Sequence, residues 1–165
     1  MGEKKKNLSK LLPFELFSVE KLRIGIVVSE WNDNITNSLK EGAYQSLIEH
    51  GIEKQNITMC SVPGSFELPS GAVMMLEADD TLDAVICLGC IIQGETRHFE
   101  FISQAVATGI MKASLDYVTP IVFGVLTCDN MEQAMDRAGG KYGNKGIEAA
   151  VSCLKMLSLE RKLRK

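Results

Sequence analysis

Four short runs rich in apolar and β-branched residues punctuate the chain: RIGIVVS (23–29), NITMCSV (56–62), LDAVICLGCII (82–92) and PIVFGVLTC (120–128). The first and third are too apolar to lie with one face in water, so they read as strands covered on both faces of a sheet. The second is weaker, and the third is central by its unbroken apolarity. Between the runs the pattern turns helical. Ile35, Leu39, Ala43 and Leu47 recur every four residues until Gly51, with Asn32, Asp33 and Asn34 as candidate caps at the start.

Residues 67–78 read as a second helix, following Pro63-Gly64 and carrying Pro69 near its first turn. A third helix is expected from His98 to about Tyr117, with Ile102, Val106, Ile110 and Ala113 in one stripe. Asp129-Asn130-Met131-Glu132 predicts a short fourth helix through an acid-x-x-Glu arrangement related to the capping box, closed by Gly139-Gly140. The last helix is expected from about Lys145, burying Ile147, Val151 and Leu154; its basic end, ERKLRK, suits a helix's negative pole.

Strands that alternate with helices pair in parallel through right-handed crossovers, which predicts an α/β fold: a doubly wound, three-layer sandwich with helices on both faces. The economical sheet has four parallel strands in order 2-1-3-4. A chain of 165 residues accommodates one such domain. In this architecture a ligand lies beyond the carboxyl ends of the strands, where strand order reverses, here between the first and third.

Eighteen basic and twenty-one acidic residues give a net charge of −3, which argues against a dedicated nucleic-acid surface. The N-terminal lysines superficially suggest a signal peptide, but Pro13, Glu15, Glu20 and Lys21 interrupt any apolar core, and no apolar run reaches the roughly 20 residues a membrane span needs. A cytoplasmic protein is expected. Five cysteines, odd in number and set in apolar stretches, read as reduced core residues. Cys87 and Cys90 have redox-motif spacing, but within a strand rather than at a helix start, so core packing is the better reading.

The polar punctuation falls at the strand exits: Ser29 to Asn32, Val62 to Glu67, Ile92 to His98, and Thr127 to Asp129. Trp31, the sole tryptophan, and Phe66 are large aromatics just outside strands, where a planar ligand can stack. Gly94-Glu95-Thr96 precedes a helix, whose positive end favours a phosphate. Neither a Gly-x-Gly-x-x-Gly nor a Walker loop is present, and GGKYGNKG (139–146) fails the Walker spacing, which argues against dinucleotides and ATP.

His98 stands beside this edge, where an imidazole can exchange protons near neutral pH, whereas a capping role suffices for His50. Two distant histidines and strand-bound cysteines do not make a metal site. Arg137, Lys141 and Lys145 are candidate anion ligands. The residues alone therefore point to a planar, phosphorylated small-molecule ligand.

VVSEWNDNIT, VPGSFELP, GCIIQGETRHFEFI and PIVFGVLTCDNMEQAMDRAGGKYGNKGIEAA together closely resemble the lumazine synthase family, over about residues 22–157 and in the family's order. The resemblance implies synthesis of 6,7-dimethyl-8-ribityllumazine from 5-amino-6-(D-ribitylamino)uracil and 3,4-dihydroxy-2-butanone 4-phosphate, with release of phosphate and water and without a metal or redox cofactor. It also implies a flavodoxin-like fold, assembly as pentamers or an icosahedral sixty-subunit shell, and active sites between neighbouring subunits. Riboflavin synthase is a candidate protein partner. On this reading residues 22–165 are a single catalytic domain. Leu11, Leu12, Phe14, Leu16 and Phe17, which precede the first strand, make segment 1–21 one that packs on a neighbour.

Carried over by motif, Trp31 stacks on the pyrimidine with Asn32 beside it in the binding set, and Ser65, Phe66 and Glu67 hold the ribityl chain. Cys90, Ile91 and Ile92 line the pyrimidine pocket, Glu95 and Thr96 form the phosphate turn, and Arg137 binds the phosphate. His98 transfers protons, Phe123 reaches across the interface, and Lys145 lies near the pyrimidine carbonyl. Three departures stand out: tryptophan at position 31 replaces the commoner phenylalanine, Gln93 stands where many members carry arginine or lysine, and Glu95 adds a negative side chain near the phosphate turn, whose backbone amides can still face the anion. The alternative is a non-catalytic flavin- or lumazine-binding, or shell-forming, protein on the same fold.

Overall fold

The computed structural model describes residues 18–164. β1 (Ile24–Ser29) is buried along its whole length, and β3 (Ala84–Ile92) along all but its last residue. These two apolar runs occupy the middle of a parallel sheet of order β2-β1-β3-β4, completed by β2 (Ile57–Val62) and β4 (Ile121–Cys128). The exposed positions of β2 follow from its place at an edge. Register runs Ile24↔Ile57 and Val28↔Leu88 around β1, and Val85↔Ile121 to Ile92↔Cys128 between β3 and β4. The expected three-layer α/β architecture and strand order are those observed.

Side chains alternate across a strand, so the sheet divides its apolar residues between two layers. Ile26, Leu39, Leu47, Leu88 and Leu154 lie on one side, under α1 (Asp33–Glu49) and α5 (Lys145–Leu163). Val27, Leu68, Val85, Val106 and Ile110 lie on the other, under α2 (Leu68–Ala78) and α3 (His98–Tyr117). Each fully buried Leu, Ile or Val contributes roughly 1.5–3 kcal/mol of transfer free energy. The same alternation sends Cys87 into the second layer and Cys90 into the first. Burial pushes both thiols up to about 12, so neither forms a thiolate near neutral pH.

Two local details differ from the sequence reading. α4 (Met131–Arg137) is capped by Asn130, whose side chain accepts from the Gln133 amide at 2.9 Å, while Gln133 Oε1 accepts from the Asp129 amide at 3.0 Å. The capping pair is therefore one residue further along than Asp129 and Glu132. Gly139 and Gly140 do not close that helix. They belong to β5 (Ala138–Gly140), which pairs antiparallel with β6 (Gly143–Asn144). Positive φ angles at Gly139 (113°) and Gly143 (91°) are what permit this tight hairpin.

In α5, Val151 and Leu154 are buried as expected, joined by Ala149, Ala150, Cys153 and Leu157, whereas Ile147 is half-buried. Gly146 at its start lies so close to the Leu39 carbonyl that any side chain would collide, which lets α5 seat directly on α1. Among the described residues no helix is long and apolar enough to cross a membrane. Leu11, Leu12, Phe14, Leu16 and Phe17 lie outside the described residues.

Candidate active site

At the carboxyl edge of the sheet, the three strand exits nearest the reversal point are tied to one another. The Glu30 amide donates to the Val62 carbonyl at 2.9 Å and the Trp31 amide to the Pro63 carbonyl at 3.3 Å, joining the exits of β1 and β2. Asn32 Nδ2 then donates to the Cys90 carbonyl at 3.0 Å, joining β1 to β3. Trp31, 73% exposed, lies beside the turn Gly64–Glu67, and Phe66 within that turn is 55% exposed. Two large rings thus stand in solvent at one edge, where burial against a planar ligand would be favourable.

Ser65 points the other way. Its hydroxyl is buried and donates to Ser29 Oγ at 3.4 Å, in space left free because Gly89 has no side chain. A Cβ at Gly89 would sit 2.6 Å from Ser65 Oγ and 2.8 Å from Leu68 Cδ1. Glu67 closes its own turn by accepting from the Gly64 amide at 3.0 Å. The segment Ser65–Glu67, a single 3-10 turn, is thereby fixed at the mouth of the sheet.

The β3 exit presents the phosphate-turn candidates. Cys90 and Ile92 face the α1/α5 layer and Ile91 the α2/α3 layer, so Cys90 meets the edge through its carbonyl rather than its thiol. The Gln93 amide nitrogen of the backbone donates to the Cys128 carbonyl at 2.8 Å, and its side chain donates to the carbonyls of Gly94 at 2.8 Å and Thr96 at 3.4 Å. Thr96 Oγ1 accepts from the His98 amide at 3.4 Å. Glu95, Thr96 and His98 are all exposed where α3 begins. That helix start carries a positive partial charge that suits an anion.

Arg97 has a partner of its own: it pairs with Glu100 at 3.1 Å and lies 5.9 Å from the Phe101 ring centre. Both charged groups are exposed, so the pair adds little stability.

Arg137 is anchored rather than free. Its guanidinium meets both oxygens of Glu148, at 2.8 and 3.0 Å, and donates to the Tyr142 carbonyl at 2.9 Å. Lys145 Nζ approaches the same carboxylate at 3.6 Å. The pair is only 19% and 12% exposed. Two cations share one carboxylate near the β4 exit, where burial pushes the Cys128 thiol up and Arg137 opposes it while Asp129 adds to it.

Glu148 did not stand out in the sequence. Its spacing from Lys145, three residues on a helix, was a signal for that contact, but the contact with Arg137 depends on the β5–β6 hairpin.

Phe123 and Lys141 are not brought to this edge cluster. Phe123 pairs in register with Cys87, five positions before Cys128 at the exit, or about 16 Å at strand spacing. Lys141 is exposed with its ammonium 5.0 Å from the Tyr142 ring. His50 caps α1, its Nδ1 within 2.6 Å of the Ser46 carbonyl. Among the described residues, no group of three or more His, Cys, Asp or Glu side chains could hold a metal ion.

A doubly wound sheet with stacking rings at its reversal point and an anion-favouring helix start beside them defines an α/β enzyme domain for small-molecule chemistry. The sequence profile of 6,7-dimethyl-8-ribityllumazine synthase matches residues 21–161. A protein of that name from Cytophaga hutchinsonii is 54% identical over 158 residues, covering 96% of this chain and 98% of its own. Those from Porphyromonas gingivalis and Parabacteroides distasonis are 51% and 52% identical, covering 85% and 83% of this chain and 86% and 85% of their own. The chain belongs to the 6,7-dimethyl-8-ribityllumazine synthase family, enzymes of riboflavin biosynthesis.

Proposed function

We propose that this chain condenses 5-amino-6-(D-ribitylamino)uracil with 3,4-dihydroxy-2-butanone 4-phosphate to give 6,7-dimethyl-8-ribityllumazine, phosphate and water. Family membership supports the reaction. The observation that carries it to particular residues is the shared edge of Trp31, the Ser65–Glu67 turn, the start of α3 and the anchored Arg137.

Trp31, with Asn32 beside it, takes the pyrimidine ring; Ser65, Phe66 and Glu67 hold the ribityl chain, and Cys90, Ile91 and Ile92 form the floor. The phosphate rests on the Glu95-Thr96 turn and Arg137, with Lys145 near the pyrimidine carbonyl. The 5-amino group attacks the C2 ketone and loses water to form an imine; removal of the C3 proton expels phosphate from C4 and leaves an enol that tautomerises to a C3 ketone, on which the ribityl-bearing nitrogen closes the ring with loss of a second water. His98 moves protons in these steps, while Arg137 and the helix start stabilise the departing phosphate. Holding two reactants in register accounts for much of the acceleration.

Incubating the purified protein with both substrates, while following lumazine fluorescence and phosphate release, tests this. Product above the spontaneous reaction is expected. Bound ligand without product would favour a non-catalytic binding protein instead.

The same proposal makes the assembly a pentamer or a shell built of pentamers, with segment 1–21 packed on a neighbour and residues 22–165 as one domain. It is supported by exposed apolar side chains at Met111 and Leu115 on α3 and at Val118 just beyond it, and by Phe123 on an edge strand far from its own chain's exit. A cytoplasmic setting fits the five free cysteines. Riboflavin synthase as a partner is supported by family membership alone.

A further inference from the structure

We propose that Asn32 is a positioning residue that sets the height and tilt of the Trp31 ring by clamping the crevice between β1 and β3. The pairing of β1 with β3 ends at Val28↔Leu88, whereas that of β3 with β4 continues to Ile92↔Cys128. Beyond Leu88 the β1-facing side of β3 therefore has no strand beside it. A part-buried carbonyl left there without a donor would be costly once a ligand covers it. Asn32 Nδ2, 3.0 Å from the Cys90 carbonyl, stands in for the missing ladder donor across a separation of 58 residues.

The local backbone is arranged around that bond. Asn32 precedes α1, where an asparagine usually caps the helix with its side-chain oxygen, a contact worth about 1 kcal/mol. Here the side chain makes no cap bond, and the backbone is left-handed, with φ 60° and ψ 48°. Among the described residues only Val118 shares a positive φ without being glycine. Asparagine tolerates this conformation better than other side chains, and its amide can span to a neighbouring carbonyl.

Trp31 is then held on both sides. Its own amide is bonded to the Pro63 carbonyl, and the residue after it is bonded to β3. A ring whose backbone is fixed at both flanks has fewer positions to lose on binding, which makes it a better stacking platform.

The ligand side of this inference rests on the proposed function; the clamp itself does not. Trp31 is the sole tryptophan, so its fluorescence reports the platform without any substrate. Asn32→Gly keeps the left-handed backbone and removes the clamp, and Asn32→Asp keeps the shape but replaces the donor with an acceptor. Both variants are expected to lower Trp31 fluorescence anisotropy in the ligand-free protein. With substrates, KM for the ribitylaminouracil should rise about tenfold, the scale of one lost hydrogen bond, with kcat changed less than threefold. Unchanged anisotropy in a folded Asn32→Gly variant overturns the clamp, and a raised KM alongside it would make Asn32 a direct substrate ligand.

In the unsubstituted protein, slow exchange of the Asn32 side-chain amide protons is expected, and fast exchange overturns the proposal even if the variants do not fold. Altered anisotropy in a protein that makes no product would preserve the clamp and reject the proposed reaction.

Discussion

Arg137 and Glu148 form a two-point ion pair, with Nη1 2.8 Å from Oε1 and Nη2 3.0 Å from Oε2 across 11 residues of sequence. A phosphate bound here shares the guanidinium with a resident carboxylate, so the arginine is already oriented before substrate arrives. Replacing Arg137 by Ala should raise KM for the butanone phosphate at least tenfold and leave KM for the uracil nearly unchanged. It should also leave a largely buried Glu148 with only Lys145, 3.6 Å away, as its ion partner, lowering stability by about 1–3 kcal/mol in urea denaturation. Arg137→Lys keeps the charge but loses the fork, and should fall between the two. An unaltered KM for the phosphate substrate in Arg137→Ala would remove this residue from the phosphate site.

For His98, the expected loss is moderate. Its ring is exposed at the start of α3, and under the proposed reaction it works beside groups that position both substrates. His98→Ala should lower kcat by roughly 10²-fold or less, because positioning survives the loss of a proton carrier. Single-turnover fluorescence would measure it, and a turnover equal to that of the parent would take His98 out of the mechanism.

Gly89 links packing to the site. A methyl group there meets Ser65 Oγ, Leu68 Cδ1 and Ser29 Oγ at 2.6, 2.8 and 3.3 Å. Gly89→Ala should cost about 1–3 kcal/mol through overpacking, and it should push the Ser65–Glu67 turn outward. The expected signature is a lower melting temperature together with a raised KM for the ribitylaminouracil. A full-stability variant with parent kinetics would show that the turn yields without consequence.

Three buried thiols predict an alkaline limit to stability. Burial raises Cys87, Cys90 and Cys153 to about 12, whereas an unfolded thiol ionises near about 8.5. Between those values the unfolded state binds fewer protons than the folded state, so stability falls as pH rises. Each thiol contributes a slope of about 1.4 kcal/mol per pH unit in that window and nothing below it. Urea midpoints at pH 8, 9 and 10 should decline, and more shallowly in Cys153→Ala. Equal slopes in the two proteins would assign the decline to other groups.

Much of this architecture is legible in the sequence because its strands are buried on both faces. RIGIVVS and LDAVICLGCII announce themselves by unbroken apolarity, and Ile35, Leu39, Ala43 and Leu47 by their period. What escapes is short or non-local. The three residues of β5 and two of β6 are too few to show any alternation, and the partners of Arg137 and Asn32 lie 11 and 58 residues away. At Asn130, neighbouring Asp and Asn residues compete for the same cap, and the choice depends on Gln133 reaching back to Asp129. The candidate site residues are named by motif; the hydrogen bonds around them are visible only in three dimensions.

The displacement of Phe123 from its own chain's exit has a consequence for genetics as well as for geometry. In a head-to-tail ring, the proposed site takes Phe123 from one chain and His98 from the next. Chains defective at either position alone would then complement one another: mixing His98→Ala with Phe123→Ala subunits regenerates about one intact site in four by random assembly. Activity would rise when two impaired preparations are combined.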